Sequence, residues 1–176
     1  MRNLDPTGLK RLHRKWRRDT SQRVSLILDS VQTPYNVGTI LRTAAALGID
    51  ELWLAGATES PDHNKTNKTA MGTQRYVHWT WCEEATEAIA AASQLGYRVV
   101  GVELADDAAP LHEVDLGGDV CLVVGHEDRG LAKTTLDALT TVGYIPQVGK
   151  VGSLNVGVAA SIAVYEARRQ GWVSPA

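Results

Sequence analysis

The sequence has no phenylalanine and only two cysteines, Cys82 and Cys121. Two cysteines outside any spaced pattern give neither a disulfide framework nor a zinc site, and a reduced, cytoplasmic protein is the simplest reading. The five histidines, His13, His63, His78, His112 and His126, are scattered without metal-ligand spacing, so no metal is expected. No apolar run approaches the roughly 18 residues of a membrane span. The N-terminus is polar and basic with no apolar stretch after it, so neither a membrane partner nor a secretory signal is expected. Three familiar signatures are also missing. The first candidate strand runs into the segment from Asp29 to Asn36, which has no glycine, so a Rossmann G-x-G-x-x-G is excluded there. Neither G-x-x-x-x-G-K-[ST] nor G-x-S-x-G occurs, which argues against P-loop chemistry and an α/β-hydrolase.

What remains is an ordinary globular composition, 44% hydrophobic and 22% charged, in 176 residues. That length suits one domain able to bury about 70% of its unfolded surface. The charge is uneven. Residues 1–20 hold seven basic groups (Arg2, Lys10, Arg11, Arg14, Lys15, Arg17, Arg18) against two acidic ones. The rest holds 11 against 18, so an arm of +5 precedes a body of −7. Such an arm suits a polyanion, nucleic acid or anionic membrane, or is simply a solvated helix face. Trp16 among the cations favours RNA, since an aromatic ring can stack on a base.

Apolar runs at 24–29, 51–55, 97–102, 120–124 and 142–145 read as strands, with a short one at 77–79. Helices are expected at 36–47, capped by Asn36 and stopped by Gly48, and at 83–95, 131–139 and 153–169. Residues 56–75 are a long polar stretch. Near-continuous apolar strands alternating with helices predict an α/β domain, a mainly parallel sheet with helices on both faces. Ligands of such sheets bind at the C-terminal strand ends, so the loops after Val102, Val124 and Ile145 are the places to look.

Three clusters could carry chemistry. The first runs from Asn36 to Arg42, with Arg42 off the apolar helix face and free to meet a ligand or solvent. The second is Gly125-His-Glu-Asp-Arg-Gly130, whose glycines permit tight turns, and whose carboxylates would also suit a helix N-terminus. The third runs from Ile145 to Asn155, where Ser153 and Asn155 are site residues or helix caps.

In this order and spacing the clusters resemble the SpoU/TrmH branch of the SPOUT methyltransferases. They match its N-x-G-x-x-x-R, G-x-E-x-x-G and I-P…S-L-N-V…A motifs, with Gly152–Glu166 the most specific stretch. The resemblance covers residues 24–170. It implies a C-terminal trefoil knot, a basic arm (1–20) ahead of a methyltransferase domain (21–176), and a homodimer whose site is completed across the interface. It implies S-adenosylmethionine as cofactor, contacted at Val102, Gly125, Ile145 and Leu154. The implied reaction is methylation of a ribose 2′-hydroxyl in RNA. Arg42 would take the reactive arginine's place, and Asn36, Glu127, Ser153 and Asn155 those of supporting polar residues. On this reading Glu127 and Asn155 orient Arg42 and the knot loops. RNA would also meet Lys10, Arg11, Arg14, Lys15, Arg17 and Arg18. A short arm on a bare domain, and the Gly149–Val156 ending, look most like the tRNA guanosine-18 enzymes of the D-loop. An rRNA methyltransferase and a catalytically silent RNA-binding protein are the alternatives.

Overall fold

The computed structural model describes residues 3–173; Arg2 of the arm and the last three residues of the predicted domain lie outside them. Seven strands form one parallel sheet in the order β3-β2-β1-β6-β4-β7-β5. They are β1 (Val24–Asp29), β2 (Leu52–Ala55), β3 (Trp79–Cys82), β4 (Arg98–Val102), β5 (Ala109–Pro110), β6 (Val120–Val124) and β7 (Val142–Tyr144). Every residue of the central strands β1 and β6 is buried, as expected of parallel strands covered on both faces.

Alternate strand residues feed two cores. Leu26, Leu28, Leu52, Leu54, Val100 and Leu122 face α2 (Pro34–Leu47) and α6 (Val156–Val173). Ile27, Trp53, Val99, Cys121 and Val123 face the alanine-rich helix α4 (Ala85–Gln94). Helix α5 (Lys133–Asp137) lies beside α4. Among the described residues, no helix is long and apolar enough to cross a membrane, and no cluster of three or more His, Cys, Asp or Glu could hold a metal ion.

Four expectations need correction. Helix α2 begins at Pro34, with Thr33 at the cap position, so Asn36 is not the cap but a buried residue of the first turn. The proline explains the earlier start, since its fixed φ suits the first helical position. The last helix starts after Asn155 rather than at Ser153, because the Asn155 side chain caps it. The short strand lies at 79–82, paired with β2, rather than at 77–79. Finally, the polar stretch contains α3 (Asn64–Ala70) and a short 3-10 helix (Thr73–Tyr76). Neither has the apolar periodicity that marks a helix in sequence.

The arm is helical, α1 (Pro6–Arg18), capped by Asp5. It has no fully buried residue and is held at one end. Trp16 packs on Trp172 of α6 with ring centroids 4.8 Å apart, and Trp172 Nε1 donates to Thr20 Oγ1 at 2.8 Å. Trp16 thus makes a structural contact while remaining 45% exposed. Nearby, the buried guanidinium of Arg168 donates to the carbonyls of Gln22, Leu47 and Gly48, tying α6 to the end of α2 and the start of β1. Trp172→Ala is expected to destabilise the protein by about 2 kcal/mol, below the range for a fully buried tryptophan. Urea unfolding measures this, and a loss under about 0.5 kcal/mol would show that the arm is not packed as described.

Candidate active site

The carboxyl ends of β4, β6 and β7 open into a cavity of about 420 Å³. Val102 and Glu103 line it from the end of β4, Val124 to Gly130 from the loop after β6, Ile145 and Gln147 from the loop after β7, and Gly152 to Leu154 from the approach to α6. Val102, Gly125, Ile145 and Leu154, expected around a cofactor, thus line a single space. Glu127 and Ser153 line it too.

The loop after β6 is closed on itself. His126 and Gly130 exchange backbone hydrogen bonds of 3.0 and 2.9 Å, with Gly130 at φ +66°. A Cβ built at Gly125 would fall on the backbone of Gly130 and Leu131, so this glycine is required by the turn itself. Glu103, which follows β4 and carried no signal in the sequence beyond its place, braces the same loop. Its carboxylate accepts from Leu131 N and Leu104 N, each at 2.9 Å.

The turn presents Glu127 to the N-terminus of α2. Its carboxylate accepts from Thr33 N at 2.8 Å, Gln32 N at 3.2 Å and Asn36 Nδ2 at 2.9 Å. Asn36 Oδ1 in turn accepts from Asn155 Nδ2 at 2.8 Å. Asn155 Oδ1 accepts from Gly157 N and Val158 N, the first free N–H groups of α6. One polar relay therefore joins residues 127, 36 and 155, one from each cluster. Burial raises the Glu127 pKa, but the hydrogen bonds from Asn36 and Thr33 outweigh it and hold the group at about 2. The helix N-terminus favours the same charge. Glu127 is thus an anion at neutral pH and an organiser rather than a proton donor.

Arg42 stands outside this relay. Six residues beyond Asn36 it lies about 9 Å further along the helix and on another face. Its guanidinium is exposed and rests against Met71 Sδ. Glu127 and Asn155 do not orient Arg42 in the single chain, contrary to expectation, because their hydrogen bonds close on Asn36 and the two helix ends. The basic arm is also remote. Its Arg17 and Trp16 lie beside Leu47, Gly48 and Asp50, at the start of the strands rather than their ends. A six-residue strand separates the two ends by on the order of 20 Å.

The cavity suits a ligand with an apolar, hydrogen-bonding body and a cationic part. Val102, Leu104, Ile145 and Leu154 give apolar walls, and the carboxylates of Glu103, Glu127 and Asp128 outnumber the one Lys or Arg on the wall, Arg129. Gln147 Oε1 is buried on the wall without a hydrogen-bond partner among the described residues. These features fit an adenosine bearing a sulfonium.

Fold and site together define a parallel α/β protein with a ligand cavity at its carboxyl strand ends, organised by three motif residues. The family model of the SpoU rRNA Methylase family matches residues 23–165, and the chain belongs to that family. It is 35% identical to a 23S rRNA (guanosine-2′-O-)-methyltransferase, RlmB, of Acinetobacter baylyi over 86% of this chain and 62% of that one. It resembles the AdoMet-bound rRNA methyltransferase of Sinorhizobium meliloti with a TM-score of 0.77 and 30% identity, over 85% of this chain and 57% of that one. A solved structure described as giving insight into 2-OH methylation of C/U34 on tRNA matches with a TM-score of 0.76 and 31% identity, over 85% of this chain and 96% of that one. The chain spans 55% to 62% of the length of the first curated relatives it matches.

The low Glu127 pKa makes a pH prediction. A carboxylate depressed by folding stabilises the protein above its ordinary value of 4.5, and that stability is lost as pH falls toward 2. Urea unfolding of Glu127→Gln should therefore show a shallower loss of stability across this window than wild type. Parallel profiles would show that the carboxylate is not held as described.

Proposed function

We propose that this chain transfers a methyl group from S-adenosylmethionine to a ribose 2′-hydroxyl in RNA, with tRNA as substrate. The relay from Glu127 through Asn36 to Asn155 at the edge of the cavity is the observation that carries the reading. It supports the reading because it joins one residue from each of the three family motifs at one place. The unpaired Gln147 Oε1 and the anionic wall support S-adenosylmethionine as the ligand of the cavity. The likeness to a structure concerned with 2-OH methylation of C/U34 on tRNA supports tRNA as a substrate. The Gly149–Val156 ending supports a D-loop guanosine as target.

When bound, S-adenosylmethionine supplies a methyl that is already electrophilic. The chain's own residues then have to hold the hydroxyl in line and deal with its proton. A charged guanidinium has no acceptor atom. Arg42 therefore acts either by stabilising the developing alkoxide while fixing a phosphate, or as a base after transient neutralisation with that phosphate's help. Its distance from the relay supports a site completed by a second copy. So does the apolar face of α6 beside Thr39, where Val158, Ile162 and Tyr165 remain 45%, 40% and 55% exposed. The order of β6, β4 and β7, with the chain then returning past the cavity to α6, supports the trefoil knot. The arm would bind RNA away from the reacting nucleotide.

Radiolabelled methyl transfer to total tRNA and to rRNA, with the modified nucleotide mapped, tests the proposal. Transfer to tRNA is expected, and transfer to rRNA alone would overturn the substrate. Arg42→Ala should lower transfer at least 100-fold while S-adenosylhomocysteine binds unchanged. A loss within about threefold, under about 0.7 kcal/mol of barrier, would remove Arg42 from the mechanism. Substantial rescue by Arg42→Lys, which keeps charge but not the planar fork, would favour the stabilising role. Leu154→Trp, at a half-buried cavity position, should weaken S-adenosylhomocysteine binding at least tenfold without lowering the melting temperature. Unchanged affinity would move the cofactor elsewhere.

A further inference from the structure

We infer that residues 64–76, α3 and the 3-10 helix after it, form the wall on which the RNA strand beside the reacting ribose lies. Lys65, Lys68 and Arg75 hold its phosphates and Tyr76 stacks on a base. The inference rests on the RNA methyltransferase reading above and assigns the substrate surface of that same site.

Packing against α2 comes first. Gly38 lies in the first cluster, and a Cβ there would fall 2.6 Å from Thr69 Cβ and 2.8 Å from the Thr66 carbonyl. The glycine is thus the seat of α3 on α2. Arg42 follows Gly38 by one helical turn, on the same side of the helix. There its guanidinium meets Met71, the residue that ends α3 with φ +54°. The left-handed residue turns the chain out beside Arg42 and leaves Met71 68% exposed. The polar segment that held no apolar pattern is therefore fixed next to the candidate reactive arginine.

Its surface chemistry is that of a single-strand RNA contact. Lys65, Lys68 and Arg75 are exposed and form no ion pair among the described residues. Arg75 lies 4.8 Å from the centre of the Tyr76 ring, and Tyr76 is 67% exposed. A guanidinium beside an open aromatic ring can hold a phosphate while the ring takes a base, and neither contact requires a particular sequence. From Asn64 to Tyr76 the segment holds no acidic residue; Glu59 and Asp62 lie ahead of it in the chain. These cations stand on a body of net charge −7, on the segment that meets Arg42 through Met71.

The test uses the full chain, whole tRNA and two variants, Lys68→Gln with Arg75→Gln, and Tyr76→Ala. All three side chains are exposed, so melting temperature and S-adenosylhomocysteine affinity should match wild type. Affinity for tRNA should fall about tenfold in each variant. In the double variant the plot of log affinity against log salt should flatten by about 1.4–1.8, one phosphate contact per cation. Wild-type affinity and slope in both variants, with tRNA bound and methylated as usual, would overturn the wall and leave the function standing. A wild-type protein that binds no RNA would overturn both together.

Discussion

The carboxylate of Glu127, which accepts from the backbone N–H groups of Gln32 and Thr33 just ahead of α2 and from the Asn36 side chain within its first turn, is the contact on which the site depends. Thr33 at the cap position offers α2 no side-chain hydrogen bond, and its own N–H and that of Gln32 need an acceptor. The acceptor comes instead from a loop more than ninety residues away, and with it the negative charge that a helix N-terminus favours. Because Asn36 is buried in that same first turn, its amide must be satisfied, and it is satisfied on both sides. The relay then reaches α6 through Asn155, which caps that helix while donating to Asn36. Two helix ends and one tight loop are fixed by one chain of hydrogen bonds, and the cavity lies where they meet.

Much of this was legible in the sequence. The strands at 24–29, 98–102 and 120–124 are written as apolar runs because parallel strands are buried on both faces. The loops that line the cavity follow from that order. The three clusters point to the polar residues of the relay, though not to how they bond. Asn36 reads as a cap by residue type, and only the position of Pro34 shows that the helix has already begun. Gly125 and Gly38 look alike as motif glycines, yet one is demanded by the backbone of its own loop and the other by a neighbouring helix. Glu103 and Gln147 were missed because a lone acid after a strand and a lone amide in a loop carry no pattern.

The two basic regions differ in how they show in the sequence. The arm stands out in sequence because its cations are contiguous, but folding places it at the starts of the strands and spends Trp16 on Trp172. Lys65, Lys68 and Arg75 are diluted among Thr and Asn, on a segment that folding brings against Arg42 through Met71. Contiguity in the chain and proximity to the site are independent properties.

A double-mutant cycle between Glu127→Gln and Asn155→Ala tests the relay most directly. The two side chains do not touch and are joined only through Asn36. If the relay holds the site as one unit, the losses in unfolding free energy will be non-additive by at least about 0.5 kcal/mol, and the losses in S-adenosylhomocysteine affinity will be coupled in the same way. Strictly additive losses in both quantities would contradict the account.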